Sequence, residues 1–114
     1  MTWTVLLHQD FVPEAEQLPE AVQDELFALV GLLSDQGPQL RRPHCDTLNG
    51  SKYANMKELR FNASDGVWRF AFAFDPNRQA VILVGGDKSG GSQARFYRTL
   101  IRKADDRFTQ WLED

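Results

Sequence analysis

With 114 residues, 42% hydrophobic and 25% charged, the chain has material for one core without disulfides or a structural metal, so residues 1–114 read as a single domain. The lone cysteine, Cys45, excludes an internal disulfide and fits a reducing, cytoplasmic compartment, and the first eight residues lack both a basic leader and the length of a membrane span. The net charge of −3 and pI near 5.3 conceal a segregation: residues 1–40 hold seven acids and no cation, residues 41–103 carry +7, and residues 104–114 carry −3. A basic half of this kind can face a polyanion while the acidic half points away, so the acidic mean does not exclude RNA as a partner.

Trp3 to His8 mixes aromatic and aliphatic residues and predicts a first strand. A short helical turn follows Pro13 through Glu16, and Pro19 suits the first position of the next helix, where its missing N–H costs nothing. From Glu20 to Gln36, Val22, Leu26, Leu29, Val30 and Leu33 recur at three- and four-residue spacing, which predicts an amphipathic helix stopped by Gly37-Pro38. Leu40 to Ala54, with Arg41-Arg42, Pro43 and Asn49-Gly50, reads as a loop.

Met56 to Ala63 predicts a second strand, turning at Ser64-Asp65-Gly66. In Val67 to Phe74, Trp68, Phe70, Phe72 and Phe74 alternate with Val67, Arg69, Ala71 and Ala73. The aromatic face belongs in a core, which sends Arg69 to the opposite face among small alanines that leave room for a ligand. Gln79 to Gly86 is a nearly continuous apolar run, the pattern of an interior strand. Ser92 is an N-cap candidate for a closing helix marked by Phe96, Leu100, Ile101, Ala104, Phe108, Trp111 and Leu112. The order β-α-α-β-β-β-α predicts an α+β fold, a small antiparallel sheet with helices packed on it.

Lys57, Arg60, Arg69 and Lys88 fall on these three consecutive strands, a concentration of cations that packing does not require and that suits phosphate. Lys57, Arg69 and Lys88 are expected on one sheet face. Tyr97, at the edge of the closing helix's core stripe, can stack on a base or donate a proton, and Lys52, Arg95 and Arg98 extend the basic surface as RNA contacts. Arg60 shares a face with Glu58, so an ion pair is its structural alternative; cations near Glu58 are expected to lower its pKa, favouring pairing over catalysis. His44 sits beside Cys45 and Asp46, but adjacent residues cannot readily all ligate one ion, so a zinc site is rejected and His44 is taken as an ordinary loop residue.

The element order resembles the RelE/ParE toxin superfamily, and the wording resembles its HigB-like, phage-derived branch. The likeness is carried by Arg42-Pro43, Asp46, Leu48 and Gly50-Ser51, by Asn55-Met56-Lys57-Glu58-Leu59-Arg60, by Trp68-Arg69 with Phe72-Ala73-Phe74-Asp75-Pro76, and by Gly85-Gly86-Asp87-Lys88. This resemblance implies a type II toxin that cleaves messenger RNA on the ribosome without metal or cofactor. It also implies neutralisation by a cognate helix-turn-helix antitoxin, and a homo-oligomer is compatible with such a complex. Self-cleavage of RNA needs a base for the 2′-hydroxyl, a clamp for phosphorane charge and an acid for the 5′-oxygen. Arg69 is the candidate clamp, since guanidinium matches phosphate bidentately, and Lys57, Lys88 and Tyr97 complete the candidate catalytic set. Two rival readings stay open: a non-nucleolytic inhibitor similar to the ParE branch, and an interaction module whose basic groove holds an acidic partner.

Overall fold

The computed structural model describes residues 2–114. Its elements run β1 (Thr4–Leu7), α1 (Phe11–Glu16), α2 (Glu20–Gln36), a 3-10 turn at Gly37–Gln39, β2 (Cys45–Thr47), β3 (Met56–Ala63), β4 (Gly66–Phe74), β5 (Gln79–Asp87) and α3 (Gln93–Glu113). The five strands form one sheet in the order β1-β5-β4-β3-β2. β1 runs parallel to β5 and every other pair is antiparallel, so the expected α+β class holds with one parallel edge.

The helices follow the apolar spacing. In α2 the residues Val22, Leu26, Leu29 and Leu33 are buried, and the acids Glu20, Asp24, Glu25 and Asp35 stay exposed. Pro19 takes the cap position rather than the first helical one, in extended geometry, and its carbonyl accepts from the amides of Val22 and Gln23. At the far end Gly37 adopts φ 56°, and a Cβ there would lie 2.2 Å from the Trp3 indole nitrogen, so both backbone and space require glycine. Ser92 caps α3 as expected, its Oγ accepting from the Arg95 amide at 3.2 Å.

β2 corrects the reading of residues 40–54 as loop throughout. Three residues are too few to show a period of two, and the strand exists because Cys45, Asp46 and Thr47 find partners in Leu59, Glu58 and Lys57.

Helices cover both faces of the sheet. On one face α1 and α2 bury Phe70, Phe72, Leu59, Ile82 and Ala80 against Phe11, Leu26 and Leu33. On the other, α3 lays Leu100, Ala104 and Phe108 over Met56, Ala71, Ala73, Val81 and Leu83. Ala71 and Ala73 therefore make room for a helix, which corrects the expectation that they leave space for a ligand.

β4 pairs Phe72 with Ile82 but Ala71 with Val84, leaving Leu83 as an extra residue in β5. Such a bulge reverses the alternation of faces beyond it. Before the bulge, Ala80 and Ile82 join the α1/α2 core; after it, Val84 packs under α3 and Gly86 lies opposite Arg69. Gly85 then faces the Phe70 ring, and a Cβ there would come within 2.0 Å of it. The Leu83 carbonyl accepts from Arg107 Nη1 at 2.8 Å, and the same guanidinium binds Glu14 of α1 at 2.8 and 2.6 Å.

Candidate functional site

The α3 face changes character toward the N-terminal end of that helix. Arg60 and Arg69 are directly opposed across β3 and β4, one row beyond Glu58 and Ala71. Like charges in that position repel, so the fold must supply acids. Arg60 Nη1 lies 3.4 Å from both Glu58 Oε2 and Asp46 Oδ2, and Asp46 also accepts from Arg42 at 2.7 and 3.0 Å. β2 thus contributes Asp46 because its register sets that residue beside Glu58.

Glu58 is the unusual group. Only 4% exposed, it accepts from Tyr97 Oη at 3.0 Å. Burial pushes its carboxyl above the ordinary glutamate range, although Tyr97, Arg60 and Arg69 all pull the other way. The expectation that nearby cations dominate is therefore overturned, because the side chain has lost most of its contact with water. Burial and then the Glu58 charge raise the Tyr97 phenol, keeping it a proton donor at neutral pH. Lys88 is shifted down by burial and then by Arg69 and Arg60, and its Nζ lies 5.9 Å from the Tyr97 ring centre.

Arg69 is 6% exposed, less open than a solvated strand arginine. Its Nη1 donates to the Trp68 carbonyl at 2.8 Å, while the buried Nε has no hydrogen-bond partner. An unpaired charged donor in a dry position is costly unless something else satisfies it.

Arg42, Asp46, Glu58, Arg60, Lys88, Gln93 and Tyr97 line a cavity of about 420 Å³ between the sheet and the start of α3. It combines several cations for a phosphate with one carboxyl able to exchange a proton, the complement of groups that metal-free RNA cleavage uses. Among the described residues, no cluster of three or more histidines, cysteines or carboxylates could hold a metal ion.

The sequence-predicted residues divide. Arg60, Arg69, Lys88 and Tyr97 come together. Lys57 does not: it pairs with Thr47 and Phe72 and alternates with Glu58 onto the α1/α2 face, where its charge acts on Cys45. The expectation that Lys57, Arg69 and Lys88 share one face fails for this residue because the strand period is two. Burial pushes the Cys45 thiol up to about 11, so it is an inert core residue.

Lys52 also lies apart. Its amide donates to Asp105, eight residues beyond Tyr97 and so about 12 Å farther along the helix. Arg95 borders a separate cavity of about 380 Å³ with Gly90, Gly91, Phe96 and Lys103, and Arg98 is exposed on α3. His44 is exposed, and its carbonyl accepts the Arg60 amide at 2.9 Å. Sequence reasoning missed Asp46, Arg42 and Gln93 as cavity residues. The Arg42–Asp46 spacing of four was a visible signal, but without β2 nothing placed it beside β3.

The sequence family described as phage-derived protein Gp49-like (DUF891) matches residues 14–109. Over 105 residues the chain is 48% identical to HigB3 of Mycobacterium tuberculosis, provisionally named a toxin, covering 89% of this chain and 90% of that one. HigB2 of the same organism, named in the same provisional way, is 41% identical over 88 residues, which are 76% of this chain and 43% of that longer protein. Among solved structures, a double arginine-to-alanine mutant of Escherichia coli toxin RelE in the free state superposes with a TM-score of 0.65 at 12% identity, covering 90% of this chain and 97% of that one. A chain of the archaeal RelE–RelB complex of Pyrococcus horikoshii gives 0.58 at 19% identity, covering 80% of this chain and all of that one. At these identities the superpositions establish the fold. Among the described residues no helix is long and apolar enough to cross a membrane.

Proposed function

The chain belongs to the phage-derived Gp49-like family, within the RelE/HigB-like toxin superfamily, and from that premise we propose that it is one toxin domain of a type II toxin–antitoxin system, cleaving messenger RNA on the ribosome in the cytoplasm. The observation that carries the nuclease reading is the buried Glu58 carboxyl, held between the Tyr97 hydroxyl and Arg60 in a cation-lined cavity.

The proton-transfer roles follow from the shifts in proton affinity of Glu58 and Lys88, and the clamp from the two arginines. Glu58, made a stronger base by burial, takes the proton of the ribose 2′-hydroxyl, and the 2′-oxygen attacks the adjacent phosphorus. Arg60, which borders the cavity, and Arg69 directly opposite it hold the charge that develops on the phosphorane oxygens. Lys88, its ammonium made more acidic by burial and two neighbouring guanidiniums, gives a proton to the departing 5′-oxygen, leaving a 2′,3′-cyclic phosphate. Tyr97 orients the Glu58 carboxyl and stacks on a base. Lys52 and Arg98 serve as outlying contacts to the RNA backbone, and Lys57 takes no part in catalysis.

The antitoxin reading draws support from the RelB-bound archaeal neighbour and from the exposed cations of the α3 surface, which suit an acidic partner; we take that partner to be a helix-turn-helix protein. The test is inducible expression in a bacterium, with growth followed and message ends mapped for wild type and Arg69→Lys. New translation-dependent cuts that fall about a hundredfold in the variant are expected, because lysine keeps the charge but loses the fork. Growth arrest with intact messages would instead support the ParE-like or interaction reading, and no arrest an inactive copy or an interaction module.

A further inference from the structure

We propose that a second cavity, on the far side of Arg60 from Glu58, is a base-binding subsite that reads one nucleotide next to the cleaved bond. This rests on the ribonuclease reading and adds a specificity site to it. The cavity has about 410 Å³, room for a nucleotide, and its walls include Glu25 of α2, His44 ahead of β2, Phe61 and Asn62 of β3, and the two arginines Arg60 and Arg69.

Three observations point to a base. First, Arg60 borders both cavities, so a phosphodiester held by its guanidinium has one nucleoside on each side. Arg69, only 6% exposed, also borders this second cavity, which gives the shared phosphate two cations. Second, the walls are mixed in a way that suits a heterocycle better than a lone anion. Phe61 is half-buried with its ring stacked on Phe70 at 5.6 Å and 12°, a fixed aromatic surface. Glu25 of α2 is exposed at the same cavity, where its carboxylate repels a free phosphate and accepts from an exocyclic amine or ring N–H. Third, the sheet edge is open here. The β2 ladder ends at Cys45 opposite Leu59, and the Arg60 amide is the last to be taken, by the His44 carbonyl. Asn62 lies two residues farther along the same edge, so its backbone and exposed side-chain amide both present donors and acceptors to the cavity.

Phe61 thus stacks the base, Asn62 and Glu25 read its polar edge, and Arg60 fixes the register between the reading cavity and the cutting one. Because hydrogen-bonding partners discriminate between bases more strongly than apolar contact, Glu25 and Asn62 set the preference.

The experiment maps message ends after induction of wild type, Glu25→Gln and Asn62→Ala. The expected result is continued cutting with base preference at one position beside the cut altered about tenfold in either variant. Unchanged preference in both variants overturns the subsite. If wild type cuts no message, the ribonuclease reading fails and the subsite is judged separately by amide NMR of the purified protein titrated with the four nucleoside 3′-monophosphates. Shifts at the Phe61 and Asn62 amides that weaken in Glu25→Gln support it, and their absence overturns it.

Discussion

The two faces of the sheet are built to different ends. Under α1 and α2 the face is mainly aromatic and aliphatic, with Phe70 and Phe72 fully buried and Lys57 set toward the β2 edge. Under α3 the same strands split: Met56, Ala71 and Ala73 continue the core, and then Glu58, Arg60 and Arg69 take over within two rows. One face gains its stability from transfer of apolar surface at roughly 25 cal/mol per Å². The other gives up part of that gain to hold charges in a half-dry cavity, where each is worth more to a reaction and less to the fold. Strength on the first face lets the second tolerate opposed arginines.

That contrast can be broken most sharply with Phe70→Ala, which removes no residue lining the Glu58 cavity. It should lower unfolding stability by about 3–5 kcal/mol, read from the denaturant midpoint, through loss of a ring in contact with Phe11, Phe61 and Trp68. A loss under 1 kcal/mol would mean that the aromatic face is not the main source of stability.

Arg107→Met probes the link between the faces. The substitution leaves the Leu83 carbonyl of the bulge and the Glu14 carboxylate without their donor, and we expect a loss of about 2 kcal/mol. Glu14 is well exposed, so most of this belongs to the bulge. Because the bulge decides which face receives Lys88, cleavage should fall too, and a variant with lowered stability but wild-type cleavage would show that the bulge holds without its pin.

The charged face has a pH signature. Glu58 has a folded pKa raised above its unfolded value near 4.5, so the folded state binds more protons between the two. Its contribution is most favourable below 4.5 and declines as pH rises through the folded value. Glu58→Gln lacks that decline, so the variant should gain on wild type as pH increases from 4 to 8 in denaturant titrations. Parallel curves would mean that the carboxyl is not desolvated. Glu14, Asp46, Asp75 and Asp87 run in the opposite sense, their pKa values being lowered, and both proteins share their loss of stability at acid pH.

Smallest is Ser92→Ala. It removes the cap of α3 without touching either core, and about 1 kcal/mol is expected from thermal or chemical unfolding. Cleavage should be nearly unchanged, because Tyr97 is held by Glu58 and its ring by Phe96 rather than by the cap.

Much of this was legible in the sequence. The three- and four-residue spacing of α2 and α3, the alternation in β4 and the turn at Ser64-Asp65 are local patterns, and each recovered its element to within a residue or two. So did the segregation of cations onto the strands, the family likeness that it carried, and the sending of Arg69 away from the aromatic core. Three-residue β2 was not legible, since its only reason for being extended is the edge of β3.

The composition of the site was settled at the tertiary level. Counting by twos from Ile82 puts Lys88 with the α1/α2 core, and only the extra residue at Leu83, its carbonyl taken by an arginine 24 positions away, turns it toward Arg69. Counting by twos from Arg60 excludes Lys57, a deduction open to the sequence once Glu58 and Arg60 were known to be the inward pair. Glu58 is decided by burial: its sequence neighbours are cations that favour the carboxylate, yet the helix and strands packed around it remove the water that would stabilise that charge. Periodicity and charge are properties of the chain, whereas desolvation belongs to whatever packs against it, and that is why the chain determined the elements and the fold determined the chemistry.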